Sequence, residues 1–247
     1  MIPKIIHYCW FGGNPLPKSA LKCIKSWRKF FPDYVIKEWN ESNFDVELMP
    51  FTREAYQAGK YAFVSDVARF WILLKEGGVY FDTDVEVIKP FEDVISEGAF
   101  MGVEIPSRQG SFPAVNPGLG LGAEAGNVVI KAILDYYYNL HFINENGDIV
   151  PGTIVTHTTN VLSSSFHLQP TNEIQRLEHV TIFPVDYFNP FDDTTGTLNK
   201  TENTHSIHWF SKSWIDRPSW YFKATRILHR IFGVSFFGSI KSFLRLR

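Results

Sequence analysis

Residues 4 to 39 alternate strand, helix and strand, and that order limits the fold more than any other feature of the chain. Lys4-Ile-Ile-His-Tyr-Cys-Trp-Phe11 is short, β-rich and nearly continuous in apolar character, and Gly12-Gly13-Asn14-Pro15 ends it in a turn. From Lys18 to Phe31 the apolar residues Ala20, Leu21, Ile24, Trp27 and Phe31 recur at the spacing of an amphipathic helix, which Pro32-Asp33 closes. Tyr34-Val-Ile-Lys-Glu-Trp39 reads as a second strand. Strands joined through a helix run parallel with a right-handed crossover, so the chain opens as an α/β sheet.

The pattern continues. Val64, Val67, Ala68, Trp71 and Leu74 share one face of a helix expected over Tyr61 to Glu76, and Gly77-Gly78 supplies its stop. Val79-Tyr-Phe81 then enters the sheet, and further strands are expected at Val85 to Ile88, Ala99 to Val103, Val180 to Val185 and Ser206 to Phe210. A helix is expected across Asn127 to Leu140. Asn116 to Gly122 and Asp192 to Asn203 read as long polar loops, of the kind that carry function in compact domains.

At 247 residues the chain is one large domain, or two sharing a cleft. Its 45% hydrophobic and 20% charged residues exclude general disorder. With 24 Lys and Arg against 26 Asp and Glu, no basic footprint for nucleic acid exists. Aromatic residues reach 16%, and their flat faces suit sugar rings, nucleobases and membrane interfaces as well as a core. The 2 cysteines, Cys9 and Cys23, indicate neither a disulfide framework nor a cysteine metal site and fit a reducing compartment. The start, Met-Ile-Pro-Lys, lacks a signal-peptide layout, and no spanning helix is expected.

Asp82-Thr83-Asp84 follows a short apolar strand, where open α/β folds bind ligands. Residues two apart on a strand face the same way, so the two carboxylates could share a divalent cation. On the preceding helix Asp66 and Arg69 stand three apart on one face beside Ser65. That helix is dominated by large apolar residues, and a buried ion pair is costly, so a task is implied and the pair could meet Asp82. Near the end, His205-Ser-Ile-His208-Trp-Phe-Ser-Lys212-Ser-Trp214 sets a metal-ligand type beside hydroxyl and ammonium groups able to hold phosphate.

These stretches together resemble a known family. Ile2-Pro-Lys-Ile-Ile-His-Tyr-Cys-Trp-Phe-Gly-Gly13, Ala62-Phe-Val-Ser65-Asp66-Val-Ala-Arg69, Leu73-Leu-Lys-Glu-Gly-Gly-Val-Tyr80 leading to Phe81-Asp82-Thr83-Asp84, and His208 to Trp214 resemble the glycosyltransferases of the sugar-binding DXD family. That family includes yeast initiating α-1,6-mannosyltransferases and bacterial capsular or lipopolysaccharide transferases, and is related to the clostridial toxin glucosyltransferases. The resemblance is dense over residues 1 to 104 and sparse after. It implies a GT-A nucleotide-diphospho-sugar transferase fold, a Rossmann-like mixed sheet flanked by helices, with a nucleotide-sugar donor, Mn or Mg, and retention of configuration.

By the same resemblance His7, Tyr8 and Trp10 line the nucleotide pocket, with Trp10 on the base. Asp66 and Arg69 grip the donor sugar, Tyr80 lies near the diphosphate, and Asp82 contacts ribose or sugar. Asp84 binds the metal with His208, and with Asp82 as a possible third ligand; Lys212 and Trp214 close over the phosphates. UDP is preferred over GDP on the same ground. The implied division is one catalytic domain over residues 1 to 220, with a donor half to about 105 and an acceptor half after it. Where many relatives carry Thr-Gly-Pro this chain reads Pro151-Gly-Thr-Ile-Val-Thr156-His157-Thr-Thr159, and on the acceptor side only Asn116 and Gly118 bear a weak resemblance to acceptor-loop residues.

Residues 221 to 247 carry six Lys or Arg and no acidic residue among Phe, Ile and Leu. Such a tail suits an anionic membrane surface, or packs on the domain. The expectation is a transferase in cell-surface polysaccharide synthesis, cytoplasmic and peripheral on the inner face of the membrane, with a glycan or lipid-linked acceptor. Two alternatives remain: a haloacid-dehalogenase-type phosphatase, which wants Thr where Glu86 stands, and a carbohydrate-binding protein without catalysis.

Overall fold

A computed structural model describes residues 1–211 and 219–233 of the chain. The opening crossover is formed by β1 (Ile5–Cys9), α1 (Lys18–Phe30) and β2 (Val35–Trp39), with β1 and β2 parallel from Ile5 opposite Val35 to Cys9 opposite Trp39. Next come α2 (Pro50–Gln57) and α3 (Tyr61–Glu76), and then β3 (Gly78–Tyr80), parallel to β1 on its other side. A turn leads to β4 (Val85–Val87), α4 (Glu92–Ser96), β5 (Phe100–Ile105), β6 (Ala114–Asn116) and β7 (Leu121–Ala123). After them follow α5 (Val128–Tyr138), α6 (Ile154–Ser165), β8 (Gln175–Leu177), β9 (Val180–Phe183) and α7 (Val185–Phe188). The chain ends in β10 (Phe191–Asp192), β11 (Thr197–Leu198), β12 (Ser206–His208) and α8 (Ser219–Phe232).

The main sheet has the order β2-β1-β3-β7-β5-β9-β8, with β6 paired to β5. It is mixed and flanked by helices, as the resemblance implies. Because β7 is antiparallel to both β3 and β5, the strands β1, β2, β3, β5 and β9 all point the same way. Their carboxyl ends therefore share one edge of the sheet. β4 pairs with β12 in a separate ladder, Val85 opposite His208, which brings the far end of the chain to that edge.

Three stretches differ from the pattern-based expectation. The Asn116 to Gly122 stretch holds the end of β6 and most of β7, and β7 is a central strand. Its Leu-Gly-Ala sequence has little strand preference of its own; the strand exists because Phe100 occupies the space above Gly122, where a Cβ would stand 2.2 Å from the ring. Asp192 to Asn203 holds the antiparallel β10–β11 hairpin. α6 is hidden by its Thr, Asn and Ser content, and forms because Ile154, Thr158, Val161 and Leu162 turn one face into the core while Thr153 caps Thr156 N.

Under the shared edge the sheet is tied together by aromatic residues. Trp27 of α1 is fully buried between Tyr8 and Phe81, and its indole N–H donates to the Val85 carbonyl at 2.8 Å. That bond fixes the strand that follows the Asp82 turn. His7 is likewise fully buried. Its Nε2 lies 2.9 Å from the Gly77 carbonyl and its Nδ1 3.0 Å from the Trp39 indole N–H, so the neutral ring with the proton on Nε2 satisfies both. Gly78 stands against it, because a Cβ there would meet the Ile5 carbonyl at 2.7 Å and the His7 ring at 2.9 Å. His7 is thus a strut between β1, β2 and the end of α3, with no atom left for the nucleotide that the resemblance assigned to it.

α8 packs on the domain. Arg226 donates to the Asp193 carbonyl at 3.1 Å and stacks on the Phe191 ring, and Arg230 Nη2 donates to the Thr195 and Gly196 carbonyls at 3.0 Å. Two of the basic residues expected to face a membrane are therefore spent on the β10–β11 hairpin, while Ile227 and Ile231 point outward at 54% and 65% exposure. Residues 234–247 of the tail lie outside the described residues.

Burial holds the His7 ring below its ordinary value of 6.5. A depressed histidine favours folding above the unfolded value and loses that contribution as the pH falls, since only the unfolded chain then takes up the proton. His7→Gln should therefore flatten the decline of melting temperature between pH 7 and pH 5, measured by differential scanning fluorimetry, whatever its cost at pH 7.

Candidate active site

α3 builds the site. Its Val64, Val67, Ala68, Phe70, Ile72 and Leu73 are buried against the sheet and α5, and this face carries Arg69 inward with them at 2% exposure. A guanidinium survives there only if its donors are matched. Nε donates to the Ser65 carbonyl at 3.1 Å, Nη2 lies 2.9 Å from Asp66 Oδ1 and 3.2 Å from Asp82 Oδ1, and Nη1 donates to Asp82 Oδ2 at 3.4 Å. The Tyr80 ring lies 4.6 Å from the guanidinium carbon, and its hydroxyl donates to Asp82 Oδ1 at 3.2 Å. Asp66, Arg69, Tyr80 and Asp82 are thus one cluster at the carboxyl end of β3.

Burial opposes charge on Arg69, and the Asp82 and Asp66 carboxylates outweigh it and hold the guanidinium charged. Burial pushes the Asp66 carboxyl up to about 7; Arg69 pulls the other way and Asp82 adds to the rise. Cys9, beneath Tyr80, has its thiol pushed up to about 12 by burial and stays neutral. One cation shared by two carboxylates leaves the cluster with surplus negative charge and unfilled acceptor capacity. Sugar hydroxyls are suited to fill it.

Asp82 and Asp84 do not alternate along a strand. Val85 N donates to the Asp82 carbonyl at 3.0 Å, so the two carboxylates sit on a turn and serve different partners. Asp84 faces β12: its Oδ1 lies 3.0 Å from His208 Nε2, its Oδ2 accepts from Ser211 N at 2.7 Å, and its carbonyl accepts from Trp209 N at 3.1 Å. Although burial opposes it, His208 and the Ser211 contacts hold the Asp84 carboxyl well below the usual range. His208 is also buried, which lowers it, but the Asp84 carboxylate raises it to about 8.

No group of three or more His, Cys, Asp or Glu suited to a metal ion gathers among the described residues. The Asp84–His208 pair nevertheless fits a divalent cation in part. It offers a carboxylate oxygen and, once His208 gives up its proton, the imidazole Nε2 3.0 Å away, and two ligands alone leave further positions to other groups. Asp82 is committed to Arg69 and Tyr80 and is not gathered with the pair.

Of the remaining expected residues, Tyr8 is buried with its hydroxyl on Glu38, while Trp10, just past the end of β1, is half-buried against the core and its indole N–H donates to the Asn14 carbonyl at 2.6 Å. Lys212 and Trp214 lie outside the described residues. The structure adds Gly118, whose carbonyl accepts from Asp82 N at 3.1 Å, and Asn116, whose Oδ1 accepts from Gly118 N at 2.7 Å. In sequence the two resemble acceptor-loop residues only weakly. Nothing in the spacing pointed to Glu104, which accepts from Asn116 Nδ2 at 2.6 Å. A separate cavity of about 490 Å³, lined by Phe166, Gln175 and Arg176 among others, contains none of these residues.

Comparison with known proteins bears on this cluster. Residues 17–101, which include Asp66, Arg69, Asp82 and Asp84, match the family described as glycosyltransferase sugar-binding region containing DXD motif. An uncharacterized glycosyltransferase of Acanthamoeba polyphaga mimivirus is 25% identical over 202 residues, 76% of either chain. Inositol phosphoceramide mannosyltransferase 1 of Schizosaccharomyces pombe is 31% identical over 119 residues, 44% of this chain and 35% of that one. Among solved structures, the PaToxG glycosyltransferase superposes with a TM-score of 0.48 at 20% identity, over 65% of this chain and 69% of that one. The resemblance read from the sequence is borne out, and with it the class of enzyme, a glycosyltransferase.

Gly118 tests how tightly the cluster is closed. A Cβ there would stand 2.0 Å from Asp82 Oδ2 and 3.0 Å from Arg69 Nη1. Gly118→Ala should cost about 1–3 kcal/mol in urea unfolding, and most of that cost should vanish in an Asp82→Ala background, since the obstructing carboxylate is then gone.

Proposed function

We propose that the chain is a metal-dependent, retaining glycosyltransferase that moves a sugar from a nucleotide-sugar donor, UDP-linked in preference to GDP-linked, to a glycan or lipid-linked acceptor in cell-surface polysaccharide synthesis. The observation that carries this reading is the buried Arg69 held between Asp66 and Asp82 at the edge where the Asp84–His208 pair also stands. A hydrogen-bonding cluster with spare acceptor capacity beside a cation-ligand pair suits a sugar next to a diphosphate. It also suits Trp10 for the base, at the end of β1 on the same edge.

The roles follow from the chemistry. Asp66, Arg69 and Asp82 bind and orient the sugar through its hydroxyls. Asp84 and His208 would hold Mn or Mg, which supplies positive charge to the diphosphate where negative charge develops. In the transfer the anomeric carbon gains a bond to the acceptor oxygen and loses its bond to the diphosphate oxygen. The electron pair stays on the diphosphate, and the acceptor proton goes to that leaving group. Retention through a front-face ion pair rests on the resemblance. A phosphatase nucleophile at Asp82 is disfavoured, because both of its oxygens lie on Arg69.

The same reading takes residues up to about 105 as the donor half and residues 106 to 220 as the acceptor half. It places the protein in the cytoplasm, on the inner face of the membrane. Residues 221 to 247 support peripheral contact through their basic composition and through the outward Ile227 and Ile231 of α8. Ile227→Glu combined with Ile231→Glu, on a face that makes no use of the hairpin, should reduce cosedimentation with vesicles of phosphatidylglycerol and phosphatidylcholine. Equal partition of variant and parent would remove the membrane from the proposal.

The central test is thermal stabilisation by UDP- and GDP-sugars with and without Mn. A ligand at 100 times its Kd stabilises the folded state by about 2.7 kcal/mol, so one nucleotide series should raise the melting temperature in the presence of Mn. Asp84→Asn should abolish the metal-dependent part. An unchanged response in that variant would sink the metal assignment, and no response to any donor in the parent would sink the reading as a whole.

A further inference from the structure

We propose that Glu104 is the acceptor-side carboxylate of this site, held by Asn116 so that its second oxygen takes a hydrogen bond from a hydroxyl of the incoming sugar. The inference rests on the glycosyltransferase reading and deepens it, since the sequence pointed only weakly to Asn116 and Gly118 on the acceptor side and not to Glu104.

Topology supplies the first argument. β5 runs in the direction of β3, so its carboxyl end, where Glu104 lies, is at the edge that carries Tyr80 and Asp82. Local geometry supplies the second. The β5–β6 ladder shifts register between Val103 and Ile105, which makes Glu104 the irregular residue of an otherwise regular pair. Bulges of this kind occur beside active sites, where they re-aim one side chain.

The hydrogen bonds supply the third. Asn116 Nδ2 donates to Glu104 Oε2 at 2.6 Å, Asn116 Oδ1 accepts from Gly118 N at 2.7 Å, and the Gly118 carbonyl accepts from Asp82 N at 3.1 Å. Glu104 is thereby tied to the sugar cluster through one side chain and one peptide. Asn189 Nδ2 donates to the Glu104 carbonyl at 3.1 Å and fixes its backbone, while its own Oδ1 is buried without a partner among the described residues. The carboxylate is half-buried and makes no salt bridge with a Lys or Arg among the described residues, and its charge reaches His208.

The chemistry favours an acceptor. A carboxylate repels a diphosphate, and the pair suited to a cation, and through it to phosphate, lies at Asp84 and His208. A neutral hydroxyl-bearing molecule is what a half-exposed carboxylate with one oxygen already oriented takes well, because a hydrogen bond to a charged acceptor is the stronger kind.

Glu104→Gln and Glu104→Ala would be compared with the parent for donor binding, by titration calorimetry with UDP- and GDP-sugars and Mn, and for transfer to a panel of p-nitrophenyl glycosides. The expected result is donor affinity as in the parent with the acceptor KM raised, about tenfold to a hundredfold in Glu104→Ala and less in the isosteric Gln. Asn116→Ala should raise the acceptor KM in the parent and add little in the Glu104→Ala background. Loss of donor affinity with the acceptor KM unchanged, or no change in either, overturns the assignment. A parent that binds no nucleotide sugar overturns the glycosyltransferase reading itself, and this inference with it.

Discussion

Burying one guanidinium is the constraint on which the rest of this site depends. Arg69 sits on the inward face of a helix otherwise made of Val, Phe, Ile and Leu, and at 2% exposure it would be prohibitive without partners. Asp66 comes from the next turn of the same helix, so its geometry is local. Asp82 comes from another element. Bringing it to Arg69 needs the chain to leave α3, reverse at Gly77-Gly78, cross the sheet as β3 and stop at the edge. Gly78 permits that path because no side chain fits between it, the Ile5 carbonyl and His7. The fold's first crossover and the charge cluster are in this sense one arrangement, with His7 and Trp27 as the struts beneath it.

The Asp82-Thr-Asp84 turn divides its labour. Two carboxylates that look equivalent in sequence are separated by a turn, so Asp82 completes the Arg69 cluster while Asp84 reaches across to β12. The His208 it meets lies 124 residues later and arrives only because β12 pairs with β4. That pairing gives Asp84 its depressed carboxyl and His208 its raised imidazole, each holding the other in its charged form. The edge thus presents the Arg69 cluster on one side and the Asp84–His208 pair on the other, with Glu104 at the carboxyl end of β5 on the same edge.

Much of the donor side was legible beforehand. The crossover, α3 and its Gly-Gly stop, the Asp66 and Arg69 spacing and the carboxylates at the end of β3 all follow from periodicity and local chemistry over short separations. Three readings went astray for the same reason. By resemblance His7 was expected to line the nucleotide pocket, yet two hydrogen bonds to distant parts of the chain make it a strut. The Asp-x-Asp looked like one face of a strand, yet the backbone turns there. The glycine-rich stretch after Asn116 looked like a loop, yet pairing with β3 on one side and β5 on the other, with Phe100 close over Gly122, makes its end a central strand.

By itself, then, the sequence determined the α/β character, the helix that carries Arg69, and the identity of the groups with chemistry to offer, because each of these is written in residues a few positions apart. Tertiary structure alone decided which of those groups meet. The Asp84–His208 pair, the chain of bonds from Asp82 through Gly118 and Asn116 to Glu104, and the docking of α8 on a hairpin through Arg226 and Arg230 all join residues far apart in the chain. Contacts of that kind depend on strand order and direction, which no local periodicity encodes, and on the cost of leaving a buried polar group unpaired, which acts only once the chain has closed around it.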